Sequence, residues 1–489
     1  MGKIIVKLTS ILLPCIFIFI ASLSRPVDAD LGWHLRYGQE FFATHSVART
    51  NTFSTDMAGF AWANISWGID LFYYAIFALG GFWGLTIAGS VVVMLTFVFF
   101  ALAWELDFWE KAFIFPVLAY IERSINNVSF RGQLVSMMLL GLLVYLLSKF
   151  ERGSTKALYL VPILFWIWAN MHGQYILGTA VFAFWAASRI LFSFREQGYK
   201  VKATLSQSRE IILVGILVLL TPLLNPFGSA VYTDAFLHFR NPLLKAVSEY
   251  VPAAELSMPW LNHILILVVT LVGLVWYILK KKVSEIVPTT LGGGVFYILS
   301  FAVKRYSWSA YYFAFPYLKP LVAFIKPESR RVRFIVPTIL FIVYIAFVSY
   351  LKYPFTEYTQ MTWDDFCGYA TDCSPQAARF LEKMPDKGHL YTYYGWGGWL
   401  IWNYRDIKPS MDGRMHLWVD DKDHSAFKEY YDYEQNFTDI DHSDYDTVFI
   451  SSSKPLYNRL NQLVYEGRWK KVYEDASSGI FVREKNPQT

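Results

Sequence analysis

Apolar runs of membrane-spanning length recur along most of this chain, and that recurrence restricts its fold more than any other feature. A bilayer core of about 30 Å takes roughly 20 helical apolar residues, since every backbone polar group must be satisfied within the segment. The pattern predicts helices over 8–23, 84–104, 111–124, 132–149, 158–169, 173–193, 210–224, 261–279, 286–303, 308–325 and 332–350. We read a polytopic α-helical membrane protein with about eleven transmembrane helices. Only 17% of the 489 residues are charged, where soluble chains carry about 25%. The runs 111–124 and 158–169 are short for a span and require polar neighbours or a thinned bilayer. The segment 66–82, "SWGIDLFYYAIFALGGF", reads as an interfacial or re-entrant helix, because Asp70 and the aromatics suit an interface. The first run follows Lys3 and Lys7 as a signal peptide would, but more membrane follows it, so it reads as a retained helix.

Basic residues set the orientation. With the N-terminus cytoplasmic, "KFERGSTK", "SFREQGYKVKATLSQSRE", "LKKKVSE" and "IKPESRRVR" all fall on inner loops, as the positive-inside rule requires. The first long loop, 24–66, and the segment after 351 then face outward. From 352 to 489 the composition becomes mixed and polar. "HLYTYY", "TVFISS" and "GIFVRE" read as strands, and "SPQAARFLEKM" and "KPLYNRLNQLV" as helices. The expected organisation is a membrane domain at 1–351 and a soluble extracytoplasmic α/β domain at 352–489. The net charge of +5 is scattered over loops and marks no nucleic-acid partner. Of three cysteines, Cys367 and Cys373 flank "GYATD" and stand either as a disulfide or as two free thiols; both readings remain open.

The outward turns gather the polar chemistry. "DADLGWHLRYGQ" (28–39) carries Asp28, Asp30, His34 and Arg36 directly after the first apolar run. Later outer turns carry Arg131 and Gln133, then Asn170 and His172 in "ANMHGQ", then Arg240 and Glu249, then Lys304 and Arg305. Arginines held on the outer face against the usual bias point to an anionic ligand, for guanidinium matches phosphate through its fork of donors. A carboxylate near a hydroxyl serves as general base. Two carboxylates one residue apart also suit a divalent cation that bridges phosphate oxygens. On its own a D-x-D pair more often lies in a solvated loop, and His172 equally suits a helix end. Co-location on one predicted face favours a site.

These residues resemble the GT-C class of polytopic glycosyltransferases, specifically the bacterial membrane proteins with a "DPDLWWHLR" first loop, related to mannosyltransferases and aminoarabinose transferases. The matching stretches are "DADLGWHLRYGQ", "RTNTFSTDMAGFAW", "RGQLVSMMLL", "WANMHGQYILG", "LNPFG", "VSEY", "YGWGGWLIW", "MDGRMHLW" and "WKKVYEDASSGIFVRE", in order over most of the chain. The resemblance implies a GT-C fold and transfer of a sugar, with inversion, from a polyprenyl-phosphate carrier to an acceptor hydroxyl at the outer membrane face. It implies Asp30 as base or metal ligand with Asp28 beside it, and His34 and Arg36 completing that loop. Arg131, Gln133, Asn170 and His172 would line the cavity, with Glu249 in the "VSEY" match. Arg240, Lys304 and Arg305 are candidates for the carrier phosphate. It further implies a bacterial inner-membrane location, a glycan, lipid or protein acceptor, and in some members a divalent metal, Mg or Mn, held here by Asp28 and Asp30. The chain departs from the pattern at "NISW" (64–67), where relatives often have "NHEW", at Gly32, where Trp is common, and at Asn51-Thr52, where Asp-Pro precedes "FS". The lost Glu puts metal dependence in doubt, and Asp70 stands a few residues on as a substitute. The competing reading is a polyprenyl-lipid or other transporter without transferase activity. Few charges within the spans and no internal repeat weigh against it.

Overall fold

Apolar helices account for most of the structure. The structure, a computed structural model, describes residues 2–126, 128–240, 251–252, 257–280, 282 and 286–484. Two units emerge from it: Met1–Arg25, Thr86–Ala235 and Lys245–Glu357 form the first, and Pro26–Leu85, Phe236–Leu244 and Tyr358–Thr489 the second.

The first unit holds most of the apolar helices. Gly2–Ala21, Gly132–Glu151, Tyr175–Glu196, Trp260–Leu279 and Val332–Leu351 are each long and apolar enough to cross a bilayer. Trp67–Ala103, whose second half belongs to this unit, is the sixth such helix among the described residues. The pair Val201–Gln207 and Arg209–Leu224, bent by 67°, makes a seventh if taken as one span. The other expected spans fall on shorter helices. Val161–Met171 has 11 residues, a rise of roughly 16 Å, well short of the hydrocarbon core. Phe108–Ile121 opens on a capping box in which Asp107 and Glu110 satisfy each other's backbone N–H. Leu213, Ile216 and Leu219, and Ile335, Ile339 and Ile342, are exposed on their helices, as lipid-facing side chains are. Phe17 of the first helix packs on Phe341 and Tyr344, with ring centroids 6.0 and 5.6 Å apart.

The segment 66–82 is helical as expected, but it runs on as Trp67–Ala103, interrupted only at Gly81, where φ 55 and ψ −146 break the helix. Glycine alone adopts such a conformation at little cost.

The second unit contains a four-stranded sheet of order β1-β2-β4-β3, with β1 Leu390–Thr392, β2 Thr447–Ser451, β3 Trp469–Glu474 and β4 Ser478–Arg483. β1 and β2 are parallel; β4 runs antiparallel to β2 and β3. β2 is buried along its whole length, which suits its unbroken apolar centre. The helices Pro375–Lys383 and Pro455–Tyr465 start where proline occupies the first turn. Cys367 and Cys373 form a disulfide.

The expected division at 351 put the first loop, 24–66, with the membrane helices. That loop belongs with the C-terminal segment. Thr55 N–H donates to Pro409 O at 2.9 Å and Asp56 N–H to Ser410 O at 3.0 Å. The helix Leu31–Thr44 lies against Gly397–Asn403 so closely that a Cβ at Gly32 would stand 1.8 Å from Gly398 O. No side chain fits there, so the packing requires glycine at position 32. Gly397 and Gly398 are packed as closely: a Cβ would stand 2.5 Å from Met411 O at the first and 2.4 Å from Ala29 O at the second.

Candidate functional site

The helix Leu31–Thr44 begins at Asp30, whose side chain does not cap it. The carboxylate instead lies over the turn at Gly413: a Cβ placed there would be 1.9 Å from Asp30 Oδ1. Asp28 precedes it, with Oδ1 accepting from Asp30 N–H at 3.2 Å and Tyr73 OH 3.5 Å from Oδ2. One turn into the helix, His34 places Nδ1 2.5 Å from Asp70 Oδ1 and stacks on Tyr73 at 4.7 Å. Asp70 is fully buried, and its other oxygen accepts from Asn64 Nδ2 at 2.5 Å. Burial pulls the His34 imidazole down, but Asp70 against Nδ1, reinforced by Asp28 and Asp30, outweighs it and holds His34 above the ordinary histidine range. Asp70, Asp28 and Asp30 thus all favour the protonated form of His34.

The turn "MDGR" closes the other side. Arg414 donates Nε and Nη2 to the two oxygens of Asp412, each at 2.6 Å, and Nη2 also to Asn51 Oδ1 at 3.0 Å. Both side chains of this ion pair are essentially inaccessible. The guanidinium lies within 4.7 to 5.9 Å of the ring centroids of Phe53, Trp62, Trp418 and Trp33. Arginine's planar, weakly hydrated cation suits such a box. Asn51 holds the loop's curve, its amide donating to Ser54 Oγ, Asp56 O and Met57 O.

Of the second unit's expected site residues, Asp28, Asp30 and His34 cluster. Arg36 is engaged elsewhere: it donates to Gln39 Oε1 at 2.8 Å and to Ile401 O and Trp402 O at 3.0 and 3.3 Å, at the C-terminal end of Gly397–Asn403. Sequence reading gave Asp70 only a substitute's place, left the turn that carries Arg414 open between a structural and a functional role, and gave Tyr73 and Gly413 no site role. The "MDGR" match was the available signal for Gly413 and Arg414.

In the first unit, His172 Nδ1 pairs with Ser136 Oγ at 2.8 Å, and Ser136 Oγ also accepts from Trp168 Nε1 at 2.9 Å. His172 also ends the helix Val161–Met171. Gln133 is buried with no partner for its amide among the described residues. Arg131 is the extended residue that opens Gly132–Glu151. Asn170 turns back on Trp166 O at 2.8 Å. Lys304 and Arg305 form a short half-buried turn. Arg240 ends the helix Ala230–Arg240, its side chain outside the described set, and Glu249 lies outside the described residues.

Among the described residues no group of three or more His, Cys, Asp or Glu side chains comes together as a metal cluster.

No family model matches the chain, and no curated protein matches it. Among solved structures it is similar to the Archaeoglobus fulgidus oligosaccharyltransferase in the apo form, at 10% identity and a TM-score of 0.48, over 91% of this chain and 69% of that one. It is also similar to ArnT from Cupriavidus metallidurans bound to undecaprenyl phosphate, at 11% identity and a TM-score of 0.47, over 98% of each chain. The chain is a multi-pass helical membrane protein with a small C-terminal sheet, and its motifs resemble those of GT-C membrane glycosyltransferases.

Proposed function

We propose that the protein is a GT-C glycosyltransferase that moves a sugar from a polyprenyl-phosphate carrier to an acceptor hydroxyl at the extracytoplasmic face of a bacterial inner membrane. The observation that carries the reading is the grouping of Asp28, Asp30 and the His34–Asp70 pair against the "MDGR" turn. Asp30 accepts the acceptor's proton as its oxygen attacks the anomeric carbon. The bond from that carbon to the phosphate oxygen breaks, and the phosphate leaves with the electron pair, inverting the centre. Asp70 fixes the orientation of His34 and favours its protonated form, through which His34 acts on the local field around Asp30. In the first unit, Arg131, Gln133, His172, Lys304 and Arg305 are the candidates for holding the carrier. A divalent cation of the Mg or Mn class would be held by Asp28 and Asp30 and would neutralise phosphate charge.

The disulfide supports an outward-facing second unit, because such bonds persist in oxidising compartments. Lipid mass spectrometry of the purified protein tests the donor class. A co-purified polyprenyl phosphate is the expected result, and failure of added polyprenyl phosphate to bind would count against the donor.

A further inference from the structure

We infer that the first unit carries a second lipid site, for a zwitterionic glycerophospholipid, separate from the proposed transfer site. A cavity of about 330 Å³ opens between the ends of Trp67–Ala103 and Gly132–Glu151 and the middle of Tyr175–Glu196. This lies within the size range of small-molecule sites between bundle helices. It sits at the C-terminal end of Gly132–Glu151, whereas Gln133 and the Ser136–His172 pair sit at the other end. Twenty helical residues place the two ends roughly 30 Å apart. The site is also at the end that carries Lys149, Arg152 and Lys156, which the positive-inside rule assigns to the cytoplasmic leaflet.

The lining has the composition of a lipid site. Its wall is apolar, with Val144, Leu147 and Phe313 buried, and suits an acyl chain. The remaining lining includes two cations, Arg152 and Lys319, and two carboxylates, Glu105 and Glu151. Arg152 pairs with Glu105 at 2.8 Å, Lys319 rests on Trp104 O at 3.0 Å, and Glu151 accepts from Trp185 Nε1 at 2.9 Å and pairs with Arg189 Nε at 3.3 Å. Charges of both signs at one mouth complement a head group that itself carries a phosphate and an ammonium. Trp104 adds an independent sign: its indole N–H is buried and has no acceptor among the described residues, although it lines the cavity. Buried donors are normally paired, and a phosphate or glycerol-ester oxygen would accept from it.

Native mass spectrometry of the detergent-purified full chain tests this, with phosphatidylethanolamine or phosphatidylglycerol of the same acyl composition added. The expected result is one phosphatidylethanolamine retained about fivefold better than phosphatidylglycerol. Leu147→Trp, which fills the cavity, removes that retention, and Glu151→Gln removes the preference between head groups. Equal retention by the wild type, preference for phosphatidylglycerol, or undiminished retention by Leu147→Trp would overturn the site. Should Leu147→Trp fail to fold, Glu151→Gln decides: an unchanged preference rejects the inference. Neither variant touches the proposed transfer site, so loss of this lipid and loss of sugar transfer are read separately.

Discussion

His34 Nδ1 lies 2.5 Å from Asp70 Oδ1, and the carboxylate is fully buried. The pair joins the first-loop helix to Trp67–Ala103 across 36 positions of sequence. Removing one partner of a buried ion pair costs about 3 kcal/mol, because the other is left uncompensated. Asp70→Asn is therefore expected to lower thermal stability clearly and to reduce transfer. Asn64→Ala, which removes a single bond to Asp70, costs about 1 kcal/mol. Thermal unfolding of the purified variants checks both.

The same pair gives a pH dependence. His34 binds its proton more tightly folded than unfolded. Its contribution is fully present below the unfolded value of about 6.5 and declines as pH rises through the higher folded value. The stability gap between wild type and His34→Gln should be widest near pH 6 and narrow on the alkaline side. A gap that widened with pH would reverse this assignment.

Gly413 carries a steric prediction. A Cβ there would stand 1.9 Å from Asp30 Oδ1, so Gly413→Ala displaces the proposed base. Transfer should fall by about two orders of magnitude, within the range for losing general-base catalysis, with near-normal expression. Gly368→Ala is the control, since its Cβ meets nothing within 4 Å. Steady-state transfer rates distinguish the two.

Arg414→Lys should destabilise the second unit by about 2–4 kcal/mol. A lysine cannot replace the bidentate pairing with Asp412 or cover four rings at once. The loss should shrink when Asp412 is changed to Asn in the same chain, because no buried carboxylate is then left unpaired; a double-mutant cycle measures it.

The helices were legible where local pattern decides them. Gly132–Glu151 and Val332–Leu351 follow from unbroken apolar runs, and Pro375–Lys383 from a Ser-Pro start and an amphipathic repeat. The β3 strand, "WKKVYE", lacks clean alternation and was legible only through the resemblance of the closing segment. The acids Asp28 and Asp30 stand in one short motif. Their surroundings do not: Asn51 and Arg414 meet across 363 positions and Arg36 reaches Ile401 across 365. No periodicity encodes such pairings, so the first loop's membership of the C-terminal unit and the structural employment of Arg36 emerge only from the folded chain.

The most direct measurement is sugar transfer from a synthetic polyprenyl-phosphate sugar by the reconstituted protein, wild type against Asp30→Asn. The account predicts inverted product from the wild type and a drop of about 10²- to 10⁴-fold in the variant at unchanged stability. Transfer by Asp30→Asn at the wild-type rate would contradict it.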